Sequence, residues 1–130
     1  MEFNREDFKQ RIEELYKYFL LNPSITTDSR NIKKGDIFFA LKGESFNGNK
    51  FAPKALEMGA SLCVVDEKEY AISDKHFLVE DVLYALQLLA NHHRRQFPDL
   101  KLLAITGTNG KTTTKELTHA VISQKYNTIA

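Results

Sequence analysis

Apolar side chains recur at helical spacing at the start of the chain: Phe8, Ile12, Leu15 and Phe19 lie three or four residues apart with charged residues between them. That period puts them on one face, so residues 5 to 21 are predicted to form an amphipathic helix. Asn4 suits its N-cap, and Asn22-Pro23 ends it. After a short Thr/Ser/Asp-rich stretch from Ile25 to Arg30, the Lys34-Gly35-Asp36 turn leads into Ile37-Phe38-Phe39-Ala40-Leu41. This run is too short and too β-prone for a helix and reads as a buried strand. A polar loop from Lys42 to Lys50 follows, with Gly43 and Gly48 near its ends, where backbone can close tightly around a ligand. Residues 51 to 58 read as a short helix with Gly59 at its C-terminal cap. Strands are predicted at 61 to 65 and 76 to 79. Asp81 starts a helix with Val82, Leu86, Leu89 and His93 on one face, which Phe97-Pro98 stops.

Beyond Pro98 the pattern changes. Leu102-Leu103-Ala104-Ile105 is a continuous apolar run, as expected of a strand covered on both faces in a parallel sheet. A domain boundary is therefore placed at 98/99, with residues 1–98 as one domain and 99–130 as the start of another. The fold class expected is α/β. A chain of 130 residues builds one compact core and little more, since domains cluster at about 100 to 150 residues, so the second domain is expected to be truncated to a strand, a loop, a helix and a strand-like tail from Tyr126 to Ala130. Without neighbouring strands, residues 101–130 are expected to be frayed, to pack irregularly, or to pair with another copy.

The apolar fraction of 42% and charged fraction of 27% place the chain among globular proteins rather than disordered ones. A net charge of +1 gives no global field for nucleic acid or an anionic membrane, so neither is an expected partner. Cys63 is the single cysteine, which excludes an intrachain disulfide; in its apolar run it reads as a core residue of a reducing, cytoplasmic compartment. The N-terminus lacks a signal-peptide pattern, and no stretch of about 18 apolar residues occurs. His92-His93 point about 100° apart on a helix and cannot face one ion, so they read as a cationic helix end.

Candidate chemistry concentrates at Thr106-Gly107-Thr108-Asn109-Gly110-Lys111-Thr112-Thr113-Thr114, between the predicted strand and a helix-period segment carrying Leu117, Ala120 and Val121. Gly107 and Gly110 let backbone N–H groups turn toward an anion, and the helix N-terminus adds its positive end. Lys111 suits the β- and γ-phosphate oxygens and the Thr112 hydroxyl suits Mg²⁺. Position 105 is isoleucine where the general G-x-x-x-x-G-K-[ST] pattern has glycine, so this is a shorter variant of the phosphate loop.

The string from Thr106 to Thr114 resembles the ATP loop of the Mur ligases and folylpolyglutamate synthases. Upstream, Asp28-Ser29-Arg30, Gly35 to Gly43, Phe46-Asn47-Gly48, Phe51 and Gly59-Ala60 resemble the N-terminal domain of the Mur ligases that add the third residue and the final dipeptide to the muramoyl stem. Ala40-Leu41-Lys42-Gly43-Glu44 and Lys115-Glu116 are more similar to those adding the dipeptide. Asn47 and Asn49 stand where that group has the acidic and histidine positions of a D-G-H loop, a departure in the loop's electrostatics.

The resemblance implies a monomeric three-domain enzyme whose first domain holds the UDP end of a UDP-N-acetylmuramoyl-peptide and whose second binds ATP and Mg²⁺. In such enzymes ATP phosphorylates the peptide carboxylate and the amine of D-alanyl-D-alanine displaces the phosphate. By the same resemblance Gly107, Thr108, Asn109, Gly110, Lys111, Thr112 and Thr113 bind ATP, with Lys111 catalytic and Thr112 on Mg²⁺. Ser29, Arg30, Lys42, Gly43, Glu44, Ser45, Phe46 and Asn47 contact the UDP substrate. Independently, Arg30 offers a fork of donors suited to a diphosphate, and the Phe46 ring could cover a uracil. Three other readings stay open: a ligase adding the third stem residue, a non-catalytic UDP-sugar-binding module with a vestigial phosphate loop, and a small phosphate-loop kinase.

Overall fold

The computed structural model describes residues 5–130, and the Asn4 cap falls outside them. The chain divides into two compact units, Met1–Pro98 and Asp99–Ala130. Unit 1 begins with helix α1 (Arg5–Leu21), followed by strands β1 (Ile25–Thr26) and β2 (Ile37–Phe39) and a 3-10 turn at Gly48–Phe51. It continues through helix α2 (Ala52–Glu57), strands β3 (Leu62–Val65) and β4 (His76–Leu78) and helix α3 (Val82–Arg95). Among the described residues the strands form one four-stranded sheet in the order β1-β2-β3-β4, and every neighbouring pair is parallel.

Alternation along the strands builds two separate apolar layers. Ile37, Phe39, Leu62, Val64 and Phe77 pack with Ile12 and Leu15 of α1 and Val82, Ala85 and Leu89 of α3. Phe38, Cys63 and Val65 face the other way, against Ala52 and Ala55 of α2. The sheet is thus covered on both faces, which explains why β2 and β3 are buried at every position. Cys63 is fully buried, as its apolar neighbours suggested, and burial pushes its thiol up to about 12.

Two aspartates organise the elements locally. Asp81 caps α3, its carboxylate accepting from the Tyr84 amide at 2.6 Å. Asp36, only 4% exposed, accepts from the Ser24 hydroxyl at 2.7 Å and the Lys33 amide at 2.8 Å. Its own carbonyl receives the Ser61 amide at 2.8 Å, so one residue ties the approach to β1, the turn before β2 and the start of β3. These bonds, the Ser24 hydroxyl first, hold the Asp36 carboxyl below the usual carboxylate range.

The structure departs from the sequence pattern in two places. Ile25–Thr26, read only as a polar stretch, pairs with β2 as a parallel edge strand. In unit 2, α4 (Lys111–Ile122) forms as a regular helix, but residues 102–105 and 126–130 are not strands. A strand needs a neighbour to receive its backbone N–H and C=O groups, and no second strand is present among the described residues of unit 2. Leu102, Leu103, Leu117 and Val121 are accordingly exposed.

Candidate functional site

Because all strands of unit 1 run the same way, their C-terminal ends open onto one edge, where ligands of open α/β sheets bind. β1 leads to Asp28-Ser29-Arg30, β2 to the loop Lys42–Asn47, β3 to Asp66-Glu67, and β4 to the N-terminus of α3. The sequence-predicted residues Ser29, Arg30, Lys42, Gly43, Glu44, Ser45, Phe46 and Asn47 therefore all lie on loops at that edge.

Arg30 is oriented by its own motif. Its Nε and Nη2 donate to the two Asp28 carboxylate oxygens at 2.9 and 3.1 Å, and its backbone N–H donates to the same carboxylate at 3.0 Å. The Arg30 bonds hold the Asp28 carboxyl below its ordinary value, and the carboxylate in turn raises the guanidinium. A pair this exposed adds little to stability; what it fixes is the direction of the fork. Ser29 between them is half-buried.

The loop Lys42–Asn47 is a tight hairpin. Lys42 and Asn47 face each other in an antiparallel bridge, the Gly43 amide donates to the Phe46 carbonyl at 2.9 Å, and the Gly48 amide closes the loop on the Leu41 carbonyl at 2.9 Å. The Phe46 ring lies over Gly43, so close that a Cβ there would sit 2.3 Å from Phe46 Cε1 and push the ring aside. The ring stays 55% exposed, open to a planar ligand. Glu44 and Ser45 form the exposed tip.

Two residues that sequence reasoning did not select, Asp66 and Glu67, join this loop, together with Asn49 from beyond its far end. Lys42 Nζ lies 3.0 Å from Asp66 Oδ1 and 3.3 Å from Glu67 Oε1, and Asn47 Nδ2 donates to both Glu67 oxygens at 2.9 and 3.1 Å. Buried Asn49 donates through Nδ2 to Asp66 Oδ1 at 2.8 Å and to Asn47 Oδ1 at 2.9 Å. The Asp66 bond, above all, raises the Lys42 ammonium. The signal for Asp66 and Glu67 in the sequence is an acidic pair directly after a buried strand of a parallel sheet.

In unit 2 the residues Gly107, Thr108, Asn109, Gly110, Lys111, Thr112 and Thr113 are all exposed. Gly110 caps α4 in the left-handed region at φ 75°, and Gly107 has φ 154°. The Gly110 carbonyl accepts the Thr114 amide at 2.9 Å. The N–H groups of Lys111, Thr112 and Thr113 therefore precede the first intrahelical bond and point out of the helix start. Lys111 folds back so that its ammonium donates to the Gly107 carbonyl. Three amides, an ammonium and the Thr112 hydroxyl at one positive helix end form a donor set that fits a polyphosphate. Among the described residues no group of three or more His, Cys, Asp or Glu could hold a metal ion by itself.

Residues 23–97, more than half of the chain, match the family described as Mur ligase family, catalytic domain. The match spans β1 to α3 and stops before the phosphate loop. The chain is similar to a UDP-N-acetylmuramoyl-tripeptide–D-alanyl-D-alanine ligase of Synechocystis, with 46% identity over 106 residues covering 80% of this chain and 23% of the relative. It is also similar to a UDP-N-acetylmuramoyl-L-alanyl-D-glutamate–2,6-diaminopimelate ligase of Clostridium tetani, 42% identical over 106 residues, covering 78% of this chain and 22% of that one. Among solved structures, MurF ligase from Thermotoga maritima in complex with ADP superposes with a TM-score of 0.65 at 34% identity, covering 82% of this chain and 24% of that one. The chain thus spans about a quarter of the length of the proteins it matches. No helix among the described residues is long and apolar enough to cross a membrane.

Proposed function

The chain belongs to the Mur ligase family, and from that premise we propose that it forms the substrate-holding first part of a ligase that joins D-alanyl-D-alanine to UDP-N-acetylmuramoyl-tripeptide. Unit 1 receives the UDP end of the muramoyl peptide on the C-terminal edge of its sheet. Arg30, aimed by Asp28, and Ser29 face the diphosphate; the hairpin Lys42–Asn47 supplies the Phe46 ring and polar groups for the nucleoside. Unit 2 supplies the phosphate loop. Lys111 and the first-turn amides of α4 would hold the terminal phosphates of ATP, and the Thr112 hydroxyl would offer an oxygen to Mg²⁺, which would supply positive charge there. Bound ATP supplies the phosphoryl group that gives a carboxylate a leaving group. This chain's residues offset the charge crowded around it.

The observation that carries this reading is the glycine-flanked loop folded onto the N-terminus of α4 with Lys111 over it. It is supported by the likeness to the Thermotoga maritima MurF ligase in complex with ADP. Isothermal titration of this chain tests the division of labour. UDP-N-acetylmuramoyl-tripeptide is expected to bind measurably and ATP weakly or not at all, because unit 2 has no sheet to support a nucleotide pocket. Tight ATP binding with hydrolysis by this chain alone would favour a small kinase instead.

A second reading, a ligase adding the third stem residue, draws support from the 42% identity to the diaminopimelate ligase. Assay of the full-length ligase bearing this segment separates the two, since product must form with D-alanyl-D-alanine on the tripeptide and not with a diamino acid on the dipeptide.

A further inference from the structure

At the end of β3 the chain leaves the core on Asp66, whose side chain is only 7% exposed. Its carboxylate gathers three elements. Oδ1 meets Lys42 Nζ at 3.0 Å and Asn49 Nδ2 at 2.8 Å, while Oδ2 faces the amide of Val82, the first residue of α3, at 3.5 Å. The Asp66 amide donates back to Asn49 Oδ1 at 3.1 Å. Glu67 then takes Asn47 Nδ2 on both oxygens and Lys42 on one. Both ends of the hairpin Lys42–Asn47 are therefore fastened to two successive carboxylates from a strand about twenty residues away.

Closing the hairpin does not require this. The Gly43–Phe46 and Gly48–Leu41 backbone bonds close it already, and a buried carboxylate costs folding energy unless it is fully bonded. What the two carboxylates add is a fixed direction for Lys42 and Asn47 at the mouth of the sheet, and holding polar groups in their bound geometry beforehand lowers the ordering cost of binding.

We propose that Asp66 and Glu67 are positioning residues for the ligand loop, acting through Lys42 and Asn47 rather than by touching the ligand. The proposal rests on the reading of this edge as the UDP-sugar site. The test is isothermal titration of this chain with UDP-N-acetylmuramoyl-tripeptide, paired with amide hydrogen exchange over residues 42–49. Asp66→Asn is expected to weaken binding about tenfold and Glu67→Gln about threefold, with faster exchange in the hairpin and unchanged exchange in β2 and α2. In a Lys42→Met/Asn47→Ala background the same two substitutions are expected to change affinity less than about twofold, because the groups they position are gone. A merely structural role would not give that loss of effect. The Glu67 side chain is half-buried, 27% exposed against 7% for Asp66, so Glu67→Gln carries the test if Asp66→Asn unfolds the domain.

Unchanged affinity in both variants, or an undiminished effect in the Lys42→Met/Asn47→Ala background, overturns the positioning role while leaving the site in place. Failure of the unmodified chain to bind the UDP-sugar overturns the reading of the site, and the positioning role with it.

Discussion

Two glycines of one hairpin predict opposite outcomes for the same substitution. At both Gly43 and Gly48 an added Cβ would lie 2.3 Å from its nearest neighbour. At Gly48 that neighbour is the Leu41 carbonyl oxygen, with Ala40 C at 2.7 Å and Leu41 N at 2.9 Å behind it, all of them backbone. Relief to even 3.0 Å needs a backbone shift of at least 0.7 Å (3.0 − 2.3). The shift acts against the carbonyl that accepts the Gly48 amide at 2.9 Å. Overpacking of this kind costs about 1–3 kcal/mol and the loosened hydrogen bond about 1 kcal/mol more. For a domain of this size each kcal/mol moves Tm by roughly 4–8 °C, so a cost of about 2–4 kcal/mol means that Gly48→Ala is expected to lower Tm by about 8–32 °C. At Gly43 the obstruction is the Phe46 ring, an exposed side chain that can swing into solvent. Gly43→Ala is therefore expected to cost under about 1 kcal/mol while displacing the ring. Thermal unfolding by far-UV circular dichroism, with titration of UDP-N-acetylmuramoyl-tripeptide, reads both effects. A Gly48→Ala protein melting within a degree of the unmodified chain would refute the reasoning, as would a Gly43→Ala protein less stable than Gly48→Ala.

Further expectations follow from groups already described. Lys111→Ala in the full-length ligase should lower product formation by at least about a hundredfold, and undiminished turnover would exclude the phosphate loop from the chemistry. The Asp36 carboxyl is depressed in the folded state, so its contribution is present above its unfolded value of about 3.9 and lost as pH falls through the folded value. Asp36→Ala should cost about 2–3 kcal/mol at neutral pH and flatten the fall in urea midpoint between pH 5 and pH 3; an unchanged acid slope counts against the assignment. With its thiol pushed up to about 12 and fully buried, Cys63 should react with a thiol reagent at pH 8 only as fast as the domain opens. Modification that outpaces unfolding in a denaturant series would contradict that.

Where local pattern encodes structure, the sequence was readable. The helical spacing of Phe8, Ile12 and Leu15, the Asp81 cap and the apolar runs at 37–41 and 61–65 carry their own instructions, and the corresponding elements form, the strands shortened to Ile37–Phe39 and Leu62–Val65. β1 was hidden because a two-residue edge strand has no periodicity; what defines it is pairing with Ile37 and Phe38. Leu102 to Ile105 failed in the opposite sense, since an apolar run specifies a strand only if partners stand beside it. At the candidate site, Ser29, Arg30 and the hairpin were visible as motifs, and the parallel sheet brings them to one edge. Asp66 and Glu67 were not, and Asn49 was visible only as a departure in the loop motif, because their roles come from contacts 17 to 25 positions apart, which no spacing rule reports.

The unbroken strand order of unit 1 also bears on how such a surface can be altered. Since the sheet never doubles back, the segments after β1, β2 and β3 and the start of α3 lie side by side in the order of translation. Each is a separate cassette, bounded by strand or helix, that can be randomised or lengthened with the residues it bonds. Asp66 and Glu67 tie the hairpin to the segment after β3, and Asp66 also meets the start of α3, so a library varying the hairpin should vary positions 66 and 67 alongside it.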